Sequence, residues 1–440
     1  YILEEYIPDM CHYNKNDVFI VCEIVRLNPE EIKSRYAISN AYKVNVLNSS
    51  RSNIADIMFT KFYSEFSNLP PERWKGKKTI RTKMNLGKII FDCVKFKSAE
   101  LNRLLEKIRK TTVTRVSKEE FNEEIKIGNT VYSLGTGGLH SQDRPMEIWS
   151  TSDYGMNGNC IGYINPSSTG EHQKADPFII VHFDINSYYP SIMVEYGVAP
   201  EHMIKSVFVN LVRWMRDTRV QTKHSAEEYV NGIKREVLAL VLKIVINVIY
   251  GKFAYENGEL YDRLATLKVT INGQLMMLML CEELEDNGIR IISANTDGIM
   301  VKVRDSQWEK YKEITERWQT NTKLKADTDL LHCLIARDVN NYVAIFRTKK
   351  GFKLEYKGAM NPNMYANDLS KGYSMPIVAK AVSDYFLLGV PIMDTFRKAT
   401  NILDFCMTQN VGRQFYVEQI FSGSTIKRVV CQRYVRFYIS

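Results

Sequence analysis

One stretch constrains the fold more than any other: Phe178-Ile179-Ile180-Val181-His182-Phe183-Asp184-Ile185-Asn186-Ser187-Tyr188-Tyr189-Pro190-Ser191-Ile192. Its first half is a short apolar run rich in β-branched and aromatic residues, which predicts a buried strand. Asp184 ends that strand where a side chain can reach a cleft. A turn comes next, with Ser187 as the expected N-cap and Pro190 in the first turn of a helix. Strand, carboxylate, turn and helix N-terminus together make a place for a cation and a phosphate. Taken alone, the stretch is better explained as ordinary turn chemistry.

A chain of 440 residues is too long for one core and implies two to four domains. The net charge of +9 favours anionic partners, nucleic acid first and an anionic membrane second. The 8 cysteines contain no Cys-x-x-Cys pair, which argues against a zinc ribbon or iron–sulfur site and for reduced thiols. No apolar run is expected to span a bilayer: the longest candidate, residues 237–250, is interrupted by Lys243 and Asn247. With no signal peptide, a cytoplasmic protein is expected. The chain starts at Tyr1 and ends in the strand-like Tyr434-Val435-Arg436-Phe437-Tyr438, so it reads as a piece cut at both ends from a longer protein.

Two further stretches turn the first into a constellation. Residues 236–250 are apolar almost all round, and their length favours a helix on which Lys243, Asn247 and Tyr250 share one face. The bland reading is a lysine snorkelling at a core edge. Residues 289–303 hold two β-rich runs around Asn295-Thr296-Asp297-Gly298, a hairpin signal that sets Asp297 at a tip. One carboxylate on a strand end, one on a hairpin tip and a helix offering Lys and Asn suit a phosphoryl transfer. Two carboxylates can hold two Mg²⁺ ions about 3.5–4 Å apart for an in-line displacement, and a lysine adds a point charge on phosphates.

These three stretches resemble, in order, the motifs of family B DNA polymerases. Asp184 to Ile192 is similar to Asp-x-x-Ser-Leu-Tyr-Pro-Ser-Ile, with Tyr188 for Leu; Lys243 to Gly251 to Lys-x-x-x-Asn-Ser-x-Tyr-Gly, with Val248 for Ser; and Asn295-Thr296-Asp297 to Asp-Thr-Asp. Elsewhere, Tyr13-x-x-x-Asp17 resembles the third motif of the family's proofreading exonuclease. Residues 135–141, with Gly137 and Gly138, look like the loop that joins exonuclease to polymerase and touches the template. Asn340-Asn341-Tyr342 falls where a Lys-x-Tyr motif would stand, without its Lys, and Lys357-Gly358 where the family has a Lys-Gly pair.

The resemblance implies an α+β right-hand fold: an antiparallel-sheet palm, helical fingers, a partial thumb and the C-terminal remnant of an RNase H-like exonuclease domain. The expected segments are 1–130 for the end of the exonuclease domain and the segment after it, 131–175 for a linker, 176–205 and 255–360 for the palm, 206–254 for the fingers and 361–440 for the start of the thumb. It implies a template-directed enzyme that adds deoxynucleotides to a primer 3′-OH with two Mg²⁺ ions, Mn²⁺ being an alternative. Asp184 and Asp297 would bind both metals and Ile185 would offer its carbonyl. Ser187, Tyr188 and Tyr189 would meet the nucleotide, Tyr189 excluding a 2′-hydroxyl. Lys243, Arg219 and Lys223 would bind the triphosphate, and Asn247 and Tyr250 would line the base-pair pocket. Gly137, Gly138, Tyr342 and Lys357 would contact DNA.

Expected partners are primer-template DNA, deoxynucleoside triphosphates and a processivity factor, with a monomeric enzyme and no membrane. A phage, plasmid or other mobile element is the expected origin, in bacterial or host-cell cytoplasm. The intervals between motifs, 243 − 184 = 59 and 297 − 243 = 54 residues, leave no room for the insertions of protein-primed members, so an ordinary nucleic-acid primer is expected. Asn295 keeps an oxygen but drops a charge. The competing readings are a catalytically degenerate polymerase-like DNA-binding module and a palm-type reverse transcriptase or RNA polymerase.

Overall fold

The computed structural model describes residues 7–117, 119–155, 176–224, 226–230, 232–362, 374–410, 416–421, 425–430 and 434–438. It is an α+β protein, and the chain divides into two compact units. One comprises Tyr1–Met84, Thr112–Val116 and Ser187–Val269; the other comprises Asn85–Thr111, Ser117–Asn186 and Thr270–Ser440.

The second unit is built on one ten-stranded sheet. Its path runs Gly351–Lys357, Asn341–Thr348, Ala326–Asp338, Phe178–Ile185, Gly298–Arg304, Arg290–Asn295, His140–Ser141, Thr130–Gly135 and Asn122–Ile127, with Met146–Trp149 also pairing to Ala326–Asp338. Every neighbouring pair is antiparallel. Phe178–Ile185 lies in the middle, as its apolar run predicts. It is covered on both faces. Phe183 meets Trp318 edge-on at 5.9 Å on one side. Phe178 and Ile180 join Met300, Leu331, Ala344 and Phe346 on the other. An antiparallel strand buried on both faces needs no hydrophobic alternation, which explains the continuous run.

The helix Arg263–Asp286 begins in the first unit and continues through the second. It corrects the membrane reading: it, not 237–250, is the longest apolar helix among the described residues. It is long and apolar enough to cross a bilayer, yet 83% of its most apolar window is buried inside the protein. Leu275, Met276, Met277, Leu278 and Leu280 are all fully buried, as expected of a core helix. Polar side chains fasten it. Trp318 Nε1 donates to the Met276 carbonyl at 2.7 Å. Asn272, fully buried, accepts from the Phe91 N–H and donates to the Ile89 carbonyl, both at 2.8 Å.

In the first unit Arg51–Ser67 packs against Lys205–His224 and Arg235–Lys252, a contact not foreseen in the sequence. Phe62 meets Trp214 at 5.3 Å, Phe59 meets Phe208 at 5.9 Å, and Lys252 Nζ reaches Asp56 at 2.7 Å. Lys205–His224 and Arg235–Lys252 are the two helices expected over 206–254, joined through a short hairpin of Tyr229–Val230 and Ile233–Lys234. Ile7–Leu27 is helical, so Tyr13 and Asp17 do share a face, but no residue of this helix is buried. In the second unit, Pro376–Leu388 and Ile392–Lys398 precede two strand pairs, Cys406–Asn410 with Tyr434–Tyr438 and Tyr416–Phe421 with Thr425–Val430.

Asn272→Leu keeps volume but strands two buried backbone groups. A loss of about 3 kcal/mol is expected, seen as a lower urea midpoint.

Candidate active site

The pairing of Phe178–Ile185 with Gly298–Arg304 sets the geometry. Their register puts Gly298 opposite Asp184 and Met300 opposite His182. The Ile185 N–H donates to the Asp297 carbonyl at 2.8 Å, so the two strand ends that carry Asp184 and Asp297 are tied by backbone. A cleft of about 250 Å³ opens here, lined by Asp184, Asp297, Asn295, Tyr342, Lys357 and five other side chains besides Gly298.

The hairpin tip differs from its expected form. The left-handed residue is Thr296, with φ 53°, while Gly298 stands in the strand with no positive φ. Gly298 is needed for another reason. A Cβ there would lie 3.1 Å from His182 Nε2 and 3.2 Å from the Phe183 carbonyl, tighter than ordinary packing. The Asp-Gly pair therefore marks a close approach beside the carboxylate, not a type I′ turn. The Thr296 N–H donates to the Leu139 carbonyl at 2.7 Å.

The glycine loop serves the same tip. A Cβ on Gly138 would collide with the Thr296 side chain, whereas Gly137 has open space around it. Gln274 straps the loop to the buried helix: its Nε2 donates to the carbonyls of Gly135 and Gly137 at 2.8 and 2.9 Å, and its Oε1 accepts from the Gly135 N–H at 2.9 Å. Gly138 thus lets one part of the protein approach another.

The cleft is short of positive charge. Burial, then the nearby Asp297, Asp327 and Asp329, push the Asp184 carboxyl up to about 6, with Lys357 opposing them. Burial and the same acidic surroundings, Glu355 first among them, raise Tyr342 to about 12. Lys357 stands across from Tyr342 in the sheet, its Nζ 5.5 Å from the ring centre. Asp327 and Asp329 were missed in the sequence. They lie opposite Asp184 and His182 in the register of Ala326–Asp338. Their two-residue alternation, Asp-Thr-Asp at 327–329, was the available signal. Asp327 Oδ1 accepts from Asn186 Nδ2 at 3.2 Å. His182, two residues before Asp184 on the same face, was also missed; burial holds its pKa down, and its Nδ1 has no hydrogen-bond partner.

The crowding of hard oxygen donors with one opposing lysine fits a divalent cation, which would relieve the repulsion that raises Asp184. Among the described residues no group of three or more His, Cys, Asp or Glu is placed to hold a metal ion by itself.

The other sequence-predicted residues lie in the first unit. Ser187 takes the N-cap position of Tyr188–Glu195, but with φ 48° and no side-chain cap, so its expected capping bond is absent and the turn is a left-handed one. Tyr188 is buried and stacks on Tyr189 at 5.8 Å; Tyr189 in turn meets Tyr250 at 4.3 Å. Lys243 and Asn247 are exposed on the same helix as Tyr250. On Lys205–His224, Arg216 pairs with Glu195 at 3.0 Å and Asp217 at 2.9 Å. Arg219 is half-buried, which lowers its pKa, and the Lys223 side chain lies outside the described residues.

The chain is similar over part of its length to known proteins. The DNA polymerase of Desulfurococcus sp. (strain Tok) is 28% identical over 176 residues, 34% of this chain and 22% of that protein. DNA polymerase 1 of Pyrococcus abyssi (strain GE5 / Orsay) is 24% identical over 162 residues, 30% of this chain and 20% of that protein. The DNA polymerase of Thermococcus sp. (strain 9oN-7) is 26% identical over 159 residues, again 30% and 20%. The chain is related to DNA polymerases. The matches span about a fifth of those relatives' length. No protein-family model matches the chain.

Two outcomes are expected. Since Asp184 keeps its proton in the folded state to about pH 6 but loses it near 3.8 when unfolded, folding stability falls as pH rises through that window and stays lower above it. Asp184→Asn should remove this fall and be more stable than the parent at pH 7, by on the order of 1 kcal/mol once solvent screening of a part-exposed group is allowed for. Thermal melts from pH 4 to 8 in chelator measure it. Gly138→Ala should displace Thr296 and with it the tip, at a cost of about 1–3 kcal/mol that Thr296→Ala partly relieves; melts of both variants and the double decide.

Proposed function

We propose that this chain is the polymerase portion of a family B DNA polymerase and adds deoxynucleotides to a primer 3′-OH. What carries the reading is the pair Asp184 and Asp297, held side by side on adjacent strand ends in a cleft of excess negative charge. The three motifs in order and the relatives named DNA polymerase support it.

Asp184 and Asp297, with the Ile185 carbonyl, would hold two Mg²⁺ ions. When bound, these supply Lewis-acid activation of the attacking hydroxyl and neutralise the triphosphate and the leaving pyrophosphate. The chain's own residues bind and orient. Lys357 and Tyr342, beside the carboxylates, would meet the primer end. Tyr189 would stand against the deoxyribose and exclude a 2′-hydroxyl, and its contact with Tyr250 braces it for that task. Lys243, Asn247 and Arg219 would bind the incoming nucleotide. Residues 176–205 and 255–360 would serve as palm, 206–254, with the helices Lys205–His224 and Arg235–Lys252, as fingers, and 361–440 as the start of the thumb. In this reading Tyr13 and Asp17 belong to an exonuclease remnant, and the primer is an ordinary nucleic-acid strand.

Primer extension on a templated duplex, with Mg²⁺ and with chelator, tests the reading. Asp184→Asn and Asp297→Asn should each lose at least about a thousand-fold in nucleotide addition while keeping duplex binding. Near-parental extension by either variant removes the metal assignment. Tyr189→Ala should lower the preference for deoxy- over ribonucleotides in kcat/KM, and an unchanged ratio removes its gating role.

A further inference from the structure

The two departures from the family motifs meet at one contact. Asn295 stands where the resemblance places an acid, and Asn340 where it places a lysine. Asn295 Nδ2 donates to Asn340 Oδ1 at 3.1 Å and to the Val339 carbonyl at 3.3 Å, while its Oδ1 accepts from Thr296 Oγ1 at 3.3 Å. Both ends of the amide are used. Asn340 is fixed independently. Its N–H donates to Asp338 Oδ1 at 2.9 Å, and Gly358 presses on its carbonyl so closely that a Cβ there would collide. At the other side, the Asp297 N–H donates to the Asn295 carbonyl at 2.6 Å.

We propose that Asn295 and Asn340 form a neutral amide clasp, a positioning pair that ties the hairpin tip bearing Asp297 to the turn after Ala326–Asp338. The proposal rests on the polymerase reading. Its logic is complementarity of donors and acceptors. An aspartate at 295 has no donor for the Val339 carbonyl or Asn340 Oδ1, and adds a charge beside carboxylates already crowded. A lysine at 340 has only donors to set against Asn295 Nδ2. In Asn295→Asp the Asn340 amide can turn to donate its Nδ2, but the Val339 carbonyl still loses its donor; in Asn340→Lys, turning Asn295 to accept from the ammonium takes its Nδ2 from that carbonyl. Either change alone therefore breaks the clasp, and both together make an ion pair.

The experiment compares the parent chain with Asn295→Asp, Asn340→Lys and the double variant. Single-turnover nucleotide addition at saturating primer-template is read beside hydrogen exchange of the peptide covering residues 293–300. Each single variant should add nucleotide about ten-fold more slowly, with KM for nucleotide and duplex affinity within about two-fold, and should lose exchange protection at the tip. The double variant should return to within about three-fold of the parent and regain protection. Single variants as fast and as protected as the parent, or a double variant slower than either, would overturn the clasp. If a single variant fails to fold, Asn340→Ala, a truncation at an exposed turn, carries the test: it should lose rate and protection, and parental behaviour overturns the proposal. A parent that extends no primer, with tip protection still coupled between 295 and 340, removes the polymerase reading and leaves the clasp standing.

Discussion

Everything at the site depends on the register between Phe178–Ile185 and Gly298–Arg304. Side chains alternate along a strand, so a slip of one residue would turn Asp184 into the core and bring Phe183 into the cleft. Three devices hold the register. Buried residues fill both faces of Phe178–Ile185, so either face resists the slip. The absence of a side chain at Gly298 admits His182 and the Phe183 carbonyl, and no neighbour in that strand could take its place. The bond from the Ile185 N–H to the Asp297 carbonyl then closes the far end, just where the ladder would otherwise fray.

That arrangement runs against stability. Several acids face one another with a single lysine opposing, and Asp184 responds by holding its proton. A fold has no need for such a cluster; hydrophobic or paired residues at these edge positions would be more stable. The neighbouring backbone repeats the pattern. Ser187, shortly after Asp184 in the chain, and Thr296, immediately before Asp297, both take left-handed conformations that disfavour non-glycine residues. Among the described residues two of the five non-glycine left-handed positions thus stand beside the two aspartates in the chain, the other three being helix C-caps, while the buried helix Arg263–Asp286 and the sheet core carry the compensating apolar burial.

The sheet's centre and the helix Arg235–Lys252 were legible because each has a clear period or length: the continuous run at 178–183 and the apolar stretch at 236–250. The positions of Asp184 and Asp297 were legible for the same reason, since strand ends and hairpin tips are set by the runs that bound them. The features that stayed hidden depend on contacts between distant segments. Asp327 and Asp329 reveal themselves only once the register of Ala326–Asp338 is known. Gly138 read as room for a ligand, because nothing local says that Thr296 fills the space. Ser187 read as a capping side chain because Ser before a helix usually caps; its backbone conformation is set by the turn that leaves the sheet, not by its own side chain.

The same physical balance bears on whether the protein is an enzyme or a degenerate DNA-binding module. A module that only holds DNA needs basic surface, and carboxylates at its centre repel the phosphate backbone. Here, in a chain of net charge +9, Asp184 is surrounded by Asp297, Asp327 and Asp329, with Lys357 opposing them. Loss of function relaxes just this kind of costly arrangement, since replacing Asp184 by a neutral residue would stabilise the apo fold. Asn295 does not weaken the case. It removes one negative charge from the tip yet leaves both of the carboxylates that face each other, and its amide is satisfied at both ends.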